Sequence, residues 1–151
     1  MRAVLQRVKQ ADVTINGVEN RAIGEGLVIL LGVMPGDTEK HGQVMAKKLC
    51  EMRIFSDENG KMNRSLLDIG GEMLLISNFT LGADCRRGTR PSFSGAAAPD
   101  VAEPLYRAFA QEVCRKGVTV QTGEFGADMQ VRLVNDGPVT IFLDSDDLKI
   151  P

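Results

Sequence analysis

The chain has 151 residues, of which 43% are hydrophobic and 25% charged, and its formal net charge is −2. This composition fits one folded domain over residues 1–151 and excludes a disordered chain. It also excludes a protein that binds nucleic acid through bulk charge, so any polyanion must meet a local basic patch.

In chain order, residues 2–9 read as a strand. Val13-Thr14-Ile15 leads into the hairpin turn Asn16-Gly17. Val18 to Ile23 returns, Gly24-Glu25-Gly26 turns again, and Leu27 to Val33 closes an antiparallel meander. Leu27 to Leu31 is the longest apolar run and is far shorter than a membrane span. Met1 to Arg7 has no signal-peptide pattern, which predicts a cytoplasmic protein.

Pro35-Gly36-Asp37-Thr38 breaks the strand and opens a helix over about 38–52, with Met45, Leu49 and Met52 at helical spacing. A short strand at Arg53 to Ser56, a turn at Asp57 to Gly60 and one helical turn at Ser65 to Ile69 follow. Glu72 to Ser77 is a compact apolar strand. Residues 82–98 form a long loop rich in Gly, Ala, Ser and Arg, and a loop of that length inside a compact domain is more often functional than filler. Pro99 opens a second helix to about Lys116, with Leu105, Phe109 and Val113 facing inward. Val118 to Gln121 is a strand, Met129 to Val134 another, and after the turn Asn135-Asp136-Gly137-Pro138 the segment Val139 to Leu143 returns. The sum predicts an α+β fold in which two main helices pack against a curved, barrel-like, antiparallel-rich sheet.

The usual catalytic constellations are missing. His41 is the single histidine and sits in a helix start, far in sequence from every candidate nucleophile. Cys50, Cys85 and Cys114 are odd in number and widely spaced, which argues against a disulfide framework or a zinc site. Cys50 and Cys114 are expected to be buried on helices, and Cys85 to lie in a polar loop. The chain offers no metal constellation, and neither a metal nor a cofactor is expected.

Two segments remain. Ser77-Asn78-Phe79-Thr80-Leu81 leaves the end of a buried strand, where backbone N–H groups lose ladder partners and can face a ligand. A simple turn capped by a hydroxyl accounts for it equally well. Asn135-Asp136-Gly137-Pro138-Val139-Thr140 interrupts a strand pattern at Gly-Pro, and by local chemistry alone reads as a plain hairpin turn.

Taken together, the two segments resemble the signature motifs of the D-aminoacyl-tRNA deacylase family, Ser-Gln-Phe-Thr-Leu and Asn-X-Gly-Pro-Val-Thr. The resemblance extends to Gln6-Arg7-Val8, Arg53 to Asp57, Gly60 to Asn63, Arg90 to Ser94, Gln121-Thr122-Gly123 and Ala127 to Val131. The departure is Asn78, one methylene shorter than the family's usual Gln.

The resemblance implies a barrel-like homodimer that hydrolyses the ester of D-aminoacyl-tRNA. Gly137-Pro138 would be a cis dipeptide inserted into the partner's site, rejecting L-amino acids. Glycine has no side chain to reject, so glycyl-tRNA mischarged on tRNA(Ala) would also be accepted. Arg7 would buttress the dipeptide, with Asn78, Asn135 and Met129 also at the substrate. Ser77, Phe79 and Thr80 would form the catalytic pocket, the Phe79 and Thr80 N–H groups polarising the ester carbonyl. An unactivated Thr80 hydroxyl is a poor nucleophile, so assistance by the tRNA 2′-hydroxyl is the favoured route. Arg86, Arg87 and Arg90 are the first candidates for the tRNA backbone, followed by Lys47 and Lys48. Two alternatives stay open: a non-catalytic module that binds the tRNA 3′ end, and a hydrolase that forms a Thr80 acyl-enzyme.

Overall fold

A computed structural model describes all residues from 1 to 151. Its elements are β1 (Arg2–Ile15), β2 (Glu19–Ile23), β3 (Gly26–Gly32), α1 (Glu39–Glu51), β4 (Phe55–Ser56), β5 (Met62–Arg64), α2 (Leu66–Ile69), β6 (Glu72–Ser77), a 3-10 turn (Phe79–Gly82), α3 (Pro99–Arg115), β7 (Thr119–Thr122), β8 (Met129–Asp144) and a closing 3-10 turn (Ser145–Asp147). No helix is long and apolar enough to cross a membrane.

The main sheet runs β2-β1-β3-β6-β7, with β8 on the other edge of β1. Its first half is the expected antiparallel meander, and Asn16 takes the left-handed φ of 51° that a tight hairpin turn needs. Its second half is parallel: β3 pairs with β6 and β6 with β7, joined by crossovers that contain α1 and α3. Parallel strands buried on both faces carry continuous apolar runs, which is why Leu27–Leu31 and Met73–Ile76 show no alternation.

One face of β3 and β6 (Leu27, Ile29, Met73, Leu75) packs under Met45 and Leu49 of α1 and Phe109 and Val113 of α3. The other face (Val28, Leu74, Ile76) closes against Val13 and Ile15 inside the curl of the sheet. Tyr106, rather than Leu105, completes the buried stripe of α3, and its hydroxyl donates to the Leu75 carbonyl at 2.7 Å. His41 has a structural job: its Nδ1 accepts from the Thr38 N–H at 3.0 Å, fixing the start of α1.

Two sequence expectations are corrected. Residues 2–9 and 13–15 are one strand, not two, because the inward phase slips at Arg7-Val8, exposing Lys9 and Gln10 and leaving Lys9 unpaired as a bulge. More consequentially, Asn135–Pro138 is not a hairpin turn. Met129–Asn135 and Thr140–Asp144 both pair antiparallel with β1, so the chain keeps its direction through the Gly-Pro. Between the pairs Val8–Asn135 and Gln6–Thr140, Arg7 alone on β1 faces Asp136 to Val139 on β8. The segment is a bulge pushed out of a long strand, and proline fits because it sits where the ladder is already open.

The cysteines divide differently from expectation. Cys50 lies in the core, where burial pushes its thiol up to about 11. Cys85 is exposed, and so is Cys114, because it falls one residue beyond the inward stripe position Val113. At about pH 8 a disulfide reagent should therefore label Cys85 and Cys114 in the native protein, and Cys50 only after denaturation. Equal labelling of all three would mean that the interface between α1 and α3 opens. A second prediction concerns the close pairing of β3 with β6. A Cβ on Gly26 would run into the backbone carbonyl of Glu72. Gly26→Ala should cost about 3 kcal/mol, at the upper end of the overpacking range, as read from urea unfolding.

Candidate active site

The site is built where β6 ends. The Asn78 N–H extends the parallel ladder by one bond, donating to the Leu31 carbonyl at 2.8 Å. The chain then tightens into the 3-10 turn Phe79–Gly82, and Asn78 caps it. The Asn78 Oδ1 accepts from the Thr80 N–H at 3.2 Å and also takes a short hydrogen bond from the Thr80 hydroxyl. The short Asn78 side chain is thus folded back onto Thr80, and the Thr80 N–H already has a partner.

Beside this turn is a cleft of about 570 Å³, a volume suited to a small-molecule moiety. Ser77, Asn78, Phe79 and Met129 line it, with Thr80 adjoining. The long loop also contributes to the lining: Phe93 meets Phe79 edge to face at 5.2 Å, and Ala96 to Ala98 follow. The Ala97 N–H, bonded to the Val33 carbonyl at 3.1 Å, anchors that alanine stretch. Phe79 and Phe93 are 58% and 40% exposed, so two aromatic rings stand at the mouth. None of the lining side chains is an acid, a base or a thiol. His41 lies on the first turn of α1, tied to Thr38. The nearest phenol, Tyr106, is pushed up to about 12 by burial and stays protonated.

Sequence reasoning assigned Ser77, Asn78, Phe79, Thr80 and Met129 to the site and missed Phe93, Ala96 to Ala98 and Phe125. The length of the 82–98 loop was the available signal for the first four of these. Phe125, in the connection after β7, had none.

The other candidates form a second group. Arg7 is 8% exposed; its Nε donates to the Asp136 carbonyl at 2.9 Å and its Nη1 to the Ile54 carbonyl at 2.7 Å. The Asn135 side chain spans the bulge, with Oδ1 accepting from the Val139 N–H and Nδ2 donating to the Thr140 hydroxyl, both at 2.9 Å. Held from both sides, Gly137 and Pro138 project outward, exposed, and joined by a cis peptide. Arg7 stands opposite Leu27 and Ser77 opposite Leu31. At roughly 3.3 Å per residue the two groups are separated by about 13 Å along β3. Within one chain they do not form a single site.

The arginines of the loop also differ from one another. Arg86 is clasped by Asp84 at 2.9 and 2.8 Å, and its guanidinium holds the Asp84 carboxyl down at about 2. Arg87 and Arg90 are exposed and carry no such clasp.

With this geometry in view, the chain can be placed among known proteins. The profile of the D-Tyr-tRNA(Tyr) deacylase family matches residues 4–144. A D-aminoacyl-tRNA deacylase of Roseiflexus castenholzii is 61% identical over 145 residues, covering 96% of this chain and 92% of its own. That of Chloroflexus aurantiacus is 54% identical over 151 residues, covering 100% and 94%. Among solved structures, the c-Myc DNA Unwinding Element Binding Protein is 42% identical with a TM-score of 0.88, covering 95% of this chain and 98% of that one. A probable eukaryotic D-amino acid tRNA deacylase, 20% identical, shares the fold with a TM-score of 0.82 over 94% and 97% of the two chains. The chain belongs to the D-Tyr-tRNA(Tyr) deacylase family, enzymes that hydrolyse the ester joining a D-amino acid to tRNA.

Proposed function

We propose that this protein is a chiral proofreader of the cytoplasm, which hydrolyses D-aminoacyl-tRNA in a site completed by a second copy of the chain. The observation that carries the reading is a cleft of the right size, lined by no titratable side chain, beside a turn whose Phe79 N–H is left uncapped. The terminal adenosine stacks at Phe79 and Phe93, and the ester carbonyl meets the Phe79 N–H, which Asn78 does not cap. The Thr80 hydroxyl donates to an amide oxygen, which cannot take up a proton, so Thr80 is not activated for attack. The 2′-hydroxyl of the terminal ribose, fixed beside the ester, assists the attack of water instead.

The chirality filter comes from Gly137-Pro138 of the partner. Val4 stands opposite Phe142 on one side and Leu30 on the other. Directly opposed residues share a sheet face, so the three form an outward apolar strip in which Phe142 is 56% exposed. At one end of this strip Arg2 donates to the Leu81 carbonyl of the site turn at 2.8 Å, and at the other end Arg7 holds the Gly-Pro bulge. A twofold axis over Val4 and Phe142 exchanges the ends, bringing each bulge to the partner's cleft. The bulge then occupies the space that an L side chain needs. A D side chain points elsewhere and glycine has none, so glycyl-tRNA mischarged on tRNA(Ala) is also a substrate.

Matched D- and L-aminoacyl-tRNA provide the test. The purified protein should deacylate the D form and glycyl-tRNA and leave the L form intact, and Thr80→Ala should retain most of the D rate. Binding of tRNA without turnover would instead make the protein a 3′-end binding module, and a trapped Thr80 ester would restore the acyl-enzyme route. Arg7→Ala removes the donor to the Asp136 carbonyl and should relax selectivity. The D-over-L ratio of kcat/KM is expected to fall by about tenfold, which is about 1.4 kcal/mol. An unchanged ratio in the folded, dimeric variant would remove the bulge from the filter.

A further inference from the structure

The tRNA body must be held by a chain of net negative charge, and of its unpaired cations Arg87 and Arg90 stand on the long loop while another set gathers in one groove. Arg2, Arg7, Arg21, Arg64, Arg86 and Arg132 each lie within ion-pair distance of a carboxylate. Lys47, Lys48, Arg53 and Lys149 have no such partner, and all four line one open groove of about 830 Å³. The groove runs between the C-terminal half of α1 and the segment after β8, with Met52 and Leu148 among its apolar lining. Glu51 and Asp147 also line it, leaving the cations in excess. Lys48 has a second reason to be there, since a cation in the last turn of a helix favours its dipole. That reason does not cover Lys47, Arg53 or Lys149.

The position of the groove matters as much as its charge. Arg53 adjoins Ile54, whose carbonyl takes one hydrogen bond from Arg7 while the Asp136 carbonyl takes another. One guanidinium therefore connects the end of the groove to the Gly-Pro bulge. In the dimer proposed for the deacylase, that bulge sits in the partner's cleft, so the groove of one protomer opens beside the mouth of the other's site.

We propose that this groove binds the phosphodiester backbone of the acceptor strand of a tRNA whose 3′ end occupies the partner protomer's cleft. The inference rests on the dimeric deacylase reading. It makes the tRNA span both protomers, one supplying the cleft and the other the filter and the grip on the backbone. Lysine and arginine on an open surface suit this role, because phosphate contacts position the substrate without reading sequence.

The test compares two substrates and two charge-matched variants. Lys47→Glu/Arg53→Glu reverses two groove cations, and Lys40→Glu/Arg115→Glu reverses two exposed cations elsewhere. With D-aminoacyl-tRNA at about 0.1 M salt, the groove variant should raise KM by about tenfold with kcat little changed. The slope of log affinity against log salt should fall by about one for each phosphate that is no longer neutralised. The same variant should hydrolyse D-aminoacyl-adenosine, which has no backbone to grip, at the wild-type kcat/KM. The control variant should match wild type on both substrates. Three results would overturn the proposal: an unchanged KM and salt slope in the groove variant, an equal loss on both substrates, or the same loss in the control. If the wild-type protein hydrolyses neither substrate, the deacylase reading fails by itself. Filter binding of uncharged tRNA then still decides the groove, with weakened binding in the groove variant supporting it and undiminished binding rejecting it.

Discussion

Strand β1 is paired along both edges, and the guanidinium of Arg7 sits where the β8 backbone leaves that ladder for longest. Opposite Arg7 the β8 backbone leaves the ladder for four residues, Asp136 to Val139, and the carbonyl of Asp136 has no strand partner there. A carbonyl cut off from both a donor and water costs on the order of 1–3 kcal/mol, and this one is part-buried. Arg7 supplies that donor and with its other arm satisfies the carbonyl of Ile54. A lysine in its place has a single ammonium and lacks the planar fork that reaches two carbonyls at once. Asn135 does the matching work along the chain, bonding Val139 and Thr140 across the bulge. The protruding Gly-Pro is therefore a braced feature of the sheet, unlike an ordinary surface turn.

That brace fixes where function can be assembled. The bulge and the Phe79–Gly82 turn belong to opposite ends of the same strands, and the rigidity that shapes each one keeps them apart within a chain. A flexible linker could have brought them together, but a continuous sheet cannot. Between them runs the outward strip of Val4, Leu30 and Phe142, with Phe142 56% exposed. On the dimeric reading proposed above, the enantiomers are told apart by the partner's bulge and not by the cleft of a single chain.

Much of this fold was legible from residue pattern. β6 begins and ends where its apolar run does, α1 and α3 follow their caps, and Asn16-Gly17 turns as its chemistry requires. Strand continuity was harder to read. Lys9-Gln10 looked like an end to β1, and Asp136-Gly137-Pro138 looked like an end to β8, because a bulge and a turn draw on the same residues. Only pairing distinguishes them: both halves of β8 lie on β1 in one direction, and that is a long-range fact. The parallel half of the sheet was hidden for a related reason, since apolar runs report burial on two faces and say nothing of direction. In the site, polar residues announced themselves, whereas Ala96 to Ala98 and Phe125 are ordinary in sequence and matter through position. Cys114 shows the same limit, one helical step separating a buried residue from an exposed one.

The chemistry of the cleft follows from what its walls can and cannot do. Hydrolysis of an ester needs charge stabilised on the carbonyl oxygen and a proton removed from the attacking group. At the end of β6 the Phe79 N–H, which Asn78 does not cap, is the donor available for the first need, held by the strand so that it needs no reorganisation. No lining side chain serves the second, and Asn78 binds the Thr80 hydroxyl as a donor without being able to accept its proton. On the proposed route the proton is managed by a group that arrives with the substrate, and the vicinal hydroxyl of the terminal ribose is the one that every aminoacyl-tRNA carries. An enzyme working this way gains rate from placed donors and a placed substrate hydroxyl. On that reading braced backbone matters more than reactive side chains, at the Phe79 turn and at the Gly-Pro bulge alike.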